Sequence, residues 1–323
     1  MKQLKYVYCI ILTILLGLTS CVKDVEFEAE QSDPKLVVNG IQQVGQPARL
    51  CVERSLFFMD ASEDRRVKDV HVDLYVNGAF KESLQVRDSV LSDIYYSWAI
   101  EDTVEYVYHA FNYCEGQYVL CAGDQLRFEV SSSEFDEKAV AEVTMPETPN
   151  VISFDTVRVD YTENVLPRTV TFSLVLDDPA GTDYYNIGPQ EGLVGFTSSD
   201  PIFESFSEFD IEDMFDEGSD YYAHGYYNII SDAYFNGKTY TISMKTVSWG
   251  EEFYERFVLD VCRVDKNFYQ YKRTVDAYYA SDPESLVGMF TEPVQVYSNV
   301  ENGIGVVCAQ SQTVTYIIDL TEN

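Results

Sequence analysis

The residues of this sequence that could do chemistry fall into three groups. The first is a run of acids between Asp200 and Asp220: Glu204, Glu208, Asp210, Glu212, Asp213, Asp216, Glu217 and Asp220, with no base among them. Carboxylates at that density can hold Ca²⁺, a hard cation that takes about six to eight oxygen ligands. The Asp-x-Asp-x-Asp-Gly order of an EF-hand is not there, so a solvated loop is the competing reading. Aromatic rings are interleaved with the acids and follow them. Phe and Tyr beside charge must be covered, either by a protein core or by something that binds. Phe206, Phe209, Phe215, Tyr221 and Tyr222 are accordingly the candidate ligand or partner contacts. The second group is Asp69, His71 and Asp73, alternate residues that would share one strand face and reach a common ion. Three donors in a row are too linear to close a tetrahedral shell by themselves. The other histidines are His109 and His224.

The third group is the cysteines. Setting aside Cys9 and Cys21, there remain Cys51, Cys114, Cys121, Cys262 and Cys308, an odd number that leaves at least one thiol unpaired. Cys114 and Cys121 bracket a short segment with Glu115-Gly116 and form the candidate disulfide. Buried small hydrophobes are the alternative reading. There is no C-x-x-C, no Gly-x-Ser-x-Gly elbow, no His-Glu-x-x-His, no phosphate-binding glycine loop and no dinucleotide fingerprint. A pair of acids for glycoside hydrolysis would leave no mark in the spacing, because such partners meet only in the fold.

The elements that must position these groups are strands. Val70, Val72, Leu74 and Val76 alternate with polar residues, and Asn77-Gly78 follows at once as a hairpin signal. Leu126, Phe128 and Val130 make a further strand, as do Ala139, Ala141, Val143 and Met145. Pro146 and Pro149 then interrupt the ladder pattern. Beyond them come Val170, Phe172, Leu174 and Leu176, stopped by Asp177-Asp178-Pro179. Next are Tyr240, Ile242 and Met244 after Asn236-Gly237, then Phe257, Leu259 and Val261, and last Val314, Tyr316, Ile318 and Leu320. One helix is expected over 266–280, with Asp265 as N-cap and Phe268, Tyr271, Val275 and Tyr278 as its apolar stripe. The fold class expected is mostly β: an antiparallel sandwich of immunoglobulin or transthyretin type over 35–147, then a second β-rich domain over 148–323. The second domain would carry the acidic insertion 200–220 and the one helix.

Composition agrees with a folded body. The 323 residues are 46% hydrophobic and 24% charged, with 25 Tyr and 19 Phe, and aromatics favour strands. The formal charge is −32. That repels phosphate backbones, so nucleic-acid binding is excluded. The first twenty residues read as an address. Lys2 and Lys5 precede the apolar run YVYCIILTILLGL, too short to span a bilayer, and Leu18-Thr19-Ser20 lead to Cys21. This resembles the lipobox of bacterial lipoproteins, whose cysteine is acylated and becomes the new N-terminus. Residues 1–20 are then a signal peptide, Cys21 the site of lipid attachment (palmitate among its acyl chains), and 21–34 an acylated tether. Val22 takes the place of the aspartate that retains lipoproteins at the inner membrane. Asp24, Glu26, Glu28 and Glu30 resemble the acidic tag that sends Bacteroidetes lipoproteins to the outer face of the outer membrane.

Further segments carry a resemblance to one family. They are Leu36-Val37-Val38-Asn39-Gly40, Val67 to Val72 leading to Asn77-Gly78, Gly123-Asp124-Gln125-Leu126, and AEVTMP ending at Pro146. In the second half they are Ser231 to Lys238 (SDAYFNGK), Tyr269-Gln270-Tyr271, and Glu292 to Gly305 (EPVQVYSNVENGIG). Together they resemble the Bacteroidetes outer-membrane lipoprotein family catalogued as domain of unknown function 4249. The resemblance implies a cell-envelope lipoprotein, often encoded beside a TonB-dependent receptor, and it carries over no catalytic residue. The function expected is a non-enzymatic accessory or ligand-binding partner of such a receptor in nutrient uptake, with no cofactor or with Ca²⁺. The alternatives are an envelope hydrolase acting on glycan or peptide, and a structural surface adhesin.

Overall fold

A computed structural model describes residues 33–56, 64–97, 102–162, 165–189, 196–197, 202, 229–248, 256–280 and 294–319. The first half supplies β1 (Leu36–Gln43), β2 (Pro47–Arg54), β3 (His71–Val76), β4 (Ala79–Ser83), β5 (Gln85–Ser97), β6 (Asp102–Val119), β7 (Gln125–Ser131) and β8 (Ala139–Thr144). The second supplies β9 (Asn150–Thr162), β10 (Val165–Asp177), β11 (Tyr184–Pro189), β12 (Phe196–Thr197), β13 (Ile229–Ser231), β14 (Thr239–Ser248) and β15 (Arg256–Val264). After these come the helix α1 (Lys266–Ala280) and the short strands β16 (Val300–Glu301), β17 (Val307–Gln310) and β18 (Val314–Asp319). Among the described residues the protein is mostly β with one α-helix. No helix among them is long and apolar enough to cross a membrane.

Alternation decides which face of each strand is buried. In β3, Val72 and Leu74 are wholly buried while His71 is exposed, and in β7 Leu126, Phe128 and Val130 point inward. The turn between β3 and β4 is Asn77-Gly78 with φ of 52° and 80°. Positive φ at both central residues gives the primed turn whose twist matches the strands. β4, β3, β7, β8 and β16 form a five-stranded sheet. It packs over β1, β2 and β6 around a core containing Leu36, Val38, Leu50, Val52, Cys114 and Phe128, which makes an antiparallel sandwich. A second core lies between the sheet β12-β14-β10-β9 and strands β11, β13, β15 and β18. There Val170, Phe172, Leu174, Ile242 and Met244 meet Tyr185, Ile187, Ile230, Leu259 and Val261. Burying a ring such as Phe172, which is 0% exposed, contributes about 1.5–3 kcal/mol.

One nine-stranded sheet serves both cores, in the order β13-β11-β15-β17-β1-β2-β6-β5, with β18 also on β15. β1 makes the link. Its first residues Leu36–Asn39 pair antiparallel with β2, and Gly40–Gln43 pair parallel with β17 from the far end of the chain. The change of core does fall beside the prolines, with Met145 in the first core and Val151 and Phe154 against the second. The expectation that 148–323 makes a contiguous second domain is corrected, because Val300, Val307 and Ala309 are built into the first core. Pro34–Asn323 is one compact unit.

The segment around this joint is held by side chains that mimic backbone. Asn299 donates from Nδ2 to the Val307 carbonyl at 2.8 Å and accepts from the Val307 amide at 2.9 Å. Asn39 accepts from the Val306 amide at 3.0 Å. The amides of Val38 and Gly40 donate to the carbonyls of Ile304 and Val306, each at 2.9 Å. Gly305 has φ of +117°, and a Cβ there would stand 2.3 Å from the Val38 carbonyl oxygen. Asp265 caps α1 as expected, accepting from the amides of Asn267 and Phe268. It also accepts from the Ala309 amide at 2.9 Å and so fastens the helix to β17.

Candidate functional site

The residues singled out from sequence do not gather at one place. Asp69 lies in the turn before β3 with φ of 51° and accepts a hydrogen bond from Ser133 at 2.7 Å, away from the strand. His71 pairs instead with Asp73 at 3.0 Å on an exposed face, so the three do not form a shared ion site. Cys114 and Cys121 are both free thiols, which corrects the expected disulfide. The reason is local: β6 continues through Glu115-Gly116 to Val119 as a bulged strand paired with β2, not as a closing loop. Cys114 stands opposite Leu50 and Val119 opposite Pro47, roughly 10 Å along β2, and Leu120 bonds on to Gln46, so Cys121 lies beyond a disulfide's Cα spacing. Cys114 is buried in the first core and its thiol is pushed up to about 12 by burial. Cys121 is exposed. Cys21, the signal, the tether as far as residue 32, Phe206, Phe209, Phe215, Tyr221, Tyr222 and His224 lie outside the described residues, as does nearly all of 200–220.

His109 sits against Glu53 at 3.1 Å, with Arg65 at 3.7 Å from the same carboxylate. Among the described residues no hydroxyl or thiol is hydrogen-bonded to that histidine, and the trio reads as a neutralised pair on the sheet.

Among the described residues a buried polar cluster lies at one end of the second sandwich, where two chain turns meet. Asp178 follows β10, Asp183 precedes β11 and Asp232 follows β13. One carboxylate oxygen from each lies within 4.8 Å of the others. Asp178 is 4% exposed. It accepts from the Tyr185 hydroxyl at 2.5 Å and from the Gly237 amide at 2.8 Å. Tyr185 and Arg263 face each other across the β11–β15 ladder, and Arg263 donates to the Tyr185 oxygen at 3.4 Å. The Arg263 Nε lies 3.5 Å from Asp183 Oδ1. That is an ion pair without hydrogen-bond geometry, and this Nε has no hydrogen-bond partner. Asp232 is 2% exposed. Its amide donates to the Asp183 carbonyl at 3.0 Å, yet its buried Oδ2 has no partner at all.

Electrostatics follow from this geometry. Burial holds the carboxyls of Asp183 and Asp232 above the ordinary carboxylate range, and neighbouring Asp178 adds to both shifts. Burial, and then the bond to Asp178, raises the Tyr185 phenol. Three carboxylates face one guanidinium in a space where uncompensated charge is costly. Reciprocal bonds between Asn236 and the backbone of Gly181 clamp the 178–183 turn against the 232–237 turn.

Sequence reasoning missed this cluster. It read Asp177-Asp178-Pro179 as the end of a strand and Asn236-Gly237 as a hairpin signal, and neither spacing reveals that the adjoining acids are buried. The one available signal was SDAYFNGK, where Asp232 precedes Phe235, a residue that packs wholly inside.

Residues 22–315 match the family model described as Domain of unknown function (DUF4249). No curated protein matches the chain.

Proposed function

The chain belongs to the DUF4249 family, and from that premise we propose that it is a lipid-anchored protein of the outer membrane. In this reading it faces the cell exterior and assists a TonB-dependent receptor in nutrient uptake, binding receptor or cargo without catalysing a reaction. The observation that carries the anchor is Leu18-Thr19-Ser20-Cys21 behind a lysine-led apolar run. The family match starts at residue 22, beside that cysteine. The rest of the reading draws support from the sandwich pair, whose joint is fixed by asparagine and glycine contacts, and from the absence of known catalytic motifs in the sequence.

The test has two arms. Labelling cells with a palmitate analogue should mark the wild-type chain, and Cys21→Ala should lose both label and membrane association. An unlabelled wild-type chain refutes the anchor. A C-terminally tagged protein purified from mildly solubilised native outer membrane should bring down a TonB-dependent receptor in near-stoichiometric amount. Recovery of the protein alone refutes the partnership.

A further inference from the structure

Asp178, Asp183 and Asp232 form a buried acid cluster with a feature that ordinary salt-bridge networks lack. The Asp232 carboxylate is 2% exposed, its Oδ2 meets no donor, and it lies with the other two carboxylates inside 4.8 Å. A buried acceptor with no partner costs roughly as much as a lost hydrogen bond, and more when charged. Something else has to satisfy it. The nearby cation does not, since the Arg263 guanidinium donates to Tyr185 and its Nε stands 3.5 Å from Asp183 without a hydrogen bond, and neither bonds to Asp232. Counting formal charge, three carboxylates against one guanidinium leave two negative charges.

We propose that Asp178, Asp183 and Asp232 hold one Ca²⁺ ion. The charge deficit is that of a divalent cation. The donors are all oxygens, with no His or Cys among the three, which selects a hard cation over zinc. The span fits as well. Three points no more than 4.8 Å apart can all be touched from one centre at about 2.8 Å or less, and the usual Ca–O distance is about 2.3–2.6 Å. The three donors come from two facing turns, Asp178 and Asp183 from the 178–183 turn and Asp232 from the turn after β13, an irregular set that suits calcium's flexible shell better than the strict octahedron of magnesium. Asp183, whose side chain is 18% exposed, opens the way in from solvent. The ion would tie the turn after β10 to the turn after β13 and fix the end of the second sandwich. The inference is independent of the lipid anchor and of any receptor.

The probe is the metal itself. The full-length chain in detergent is stripped with chelator, then titrated with CaCl₂ by calorimetry and with Tb³⁺ by tyrosine-sensitised luminescence. Tyr185, bonded to Asp178 at 2.5 Å, is the antenna. The result expected is one saturable site, Tb³⁺ emission displaced by Ca²⁺ well ahead of Mg²⁺, and at least a tenfold loss of affinity in Asp232→Asn. A control carrying Glu208→Gln, Asp210→Asn, Glu212→Gln and Asp213→Asn should keep the site, which separates it from the acidic 200–220 run. Circular dichroism checks each variant. If Asp232→Asn does not fold, Asp183→Asn, on the more open carboxylate, takes its place. The proposal is overturned if the wild type shows no saturable site, if the folded Asp variant binds like wild type, if the control loses the site, or if Mg²⁺ competes equally.

Discussion

Replacing Gly305 with alanine tests how the two ends of the chain are joined. Two costs can be worked from the structure. Gly305 has φ of +117°, a conformation that costs a side-chain-bearing residue about 1–3 kcal/mol. The added Cβ would also stand 2.3 Å from the Val38 carbonyl oxygen, a backbone atom that cannot swing away, and 2.8 Å from Asn39 Oδ1, a side-chain oxygen held by its bond from the Val306 amide. Relief requires β1 and the 304–306 segment to part, which breaks the bonds from Val306 to Asn39 and from Gly40 to Val306. Buried polar groups left unpaired cost about 1–3 kcal/mol each. Together the effects come to about 3–9 kcal/mol, against about 5–15 kcal/mol for a whole domain. The control is Gly45→Ala, where φ is +85° and nothing lies within 4 Å, so only the backbone cost of about 1–2 kcal/mol applies. Urea unfolding followed by circular dichroism measures both. Gly305→Ala should lower the midpoint several-fold more than Gly45→Ala. Equal shifts would mean that the close approach is relieved without cost, and the account of the joint would fail.

Other perturbations have expected outcomes too. Burial raises the Asp265 carboxyl despite its bonds from the amides of Ala309, Phe268 and Asn267. The folded protein therefore binds this proton more tightly than the unfolded chain, and its contribution to stability declines as pH climbs from the ordinary carboxylate value through the raised folded one. Asp265→Asn keeps an acceptor and removes the charge, so it should flatten that decline in urea midpoints taken from pH 4 to 7, and an unchanged slope would count against it. Asp265→Ala, which orphans the helix start and the Ala309 amide, should cost about 2–4 kcal/mol and speed hydrogen exchange in α1. Alkylation of the native chain should modify Cys121 first, because it is exposed, and reach Cys114, Cys262 and Cys308 only on unfolding, because they are buried. A native peptide carrying a Cys114–Cys121 bond would contradict the pairing of β6 with β2 from Leu50 to Pro47.

What could be read in the sequence was local. Alternation placed β3, β7, β8, β10 and β14 and named their inward residues, since period two reports which face is dry. Asn77-Gly78 gave a turn because both residues accept positive φ, and Asp265 gave the helix start. The helical stripe was legible only in part. Phe268 and Tyr271 pack into the core beneath the helix, while Tyr278 is 52% exposed. What the sequence withheld was partnership. The apolar run Val306-Val307-Cys308-Ala309 is buried throughout, but nothing in it says that it joins β1, which lies at the other end of the chain. The Asp178, Asp183 and Asp232 cluster was hidden for the same reason, because burial of these acids is set by two turns converging and leaves no periodic trace. The Cys114–Cys121 expectation failed because Gly116 was read as a loop, whereas β6 carries it within a bulged strand against Glu82 and Ala48.

The joint between β1 and β17 also governs when the protein can become itself. Asn39 and Val306 are 267 residues apart in sequence, so the pairing that completes the first core waits for the last part of the chain to emerge from its ribosome or translocon. The β3–β4 hairpin, closed by two residues, forms in about 1–10 μs. The terminal pairing must bear the entropy of closing nearly the whole chain, and non-local strand pairing of that kind is slow. An N-terminal half that has already been delivered therefore stands with a gap along β1 and an open ladder edge until the far end docks. Removing the stretch from Val300 onward would leave that edge permanently unpaired, a template for aggregation. The loss would fall on both sandwiches at once, although the deleted residues number few.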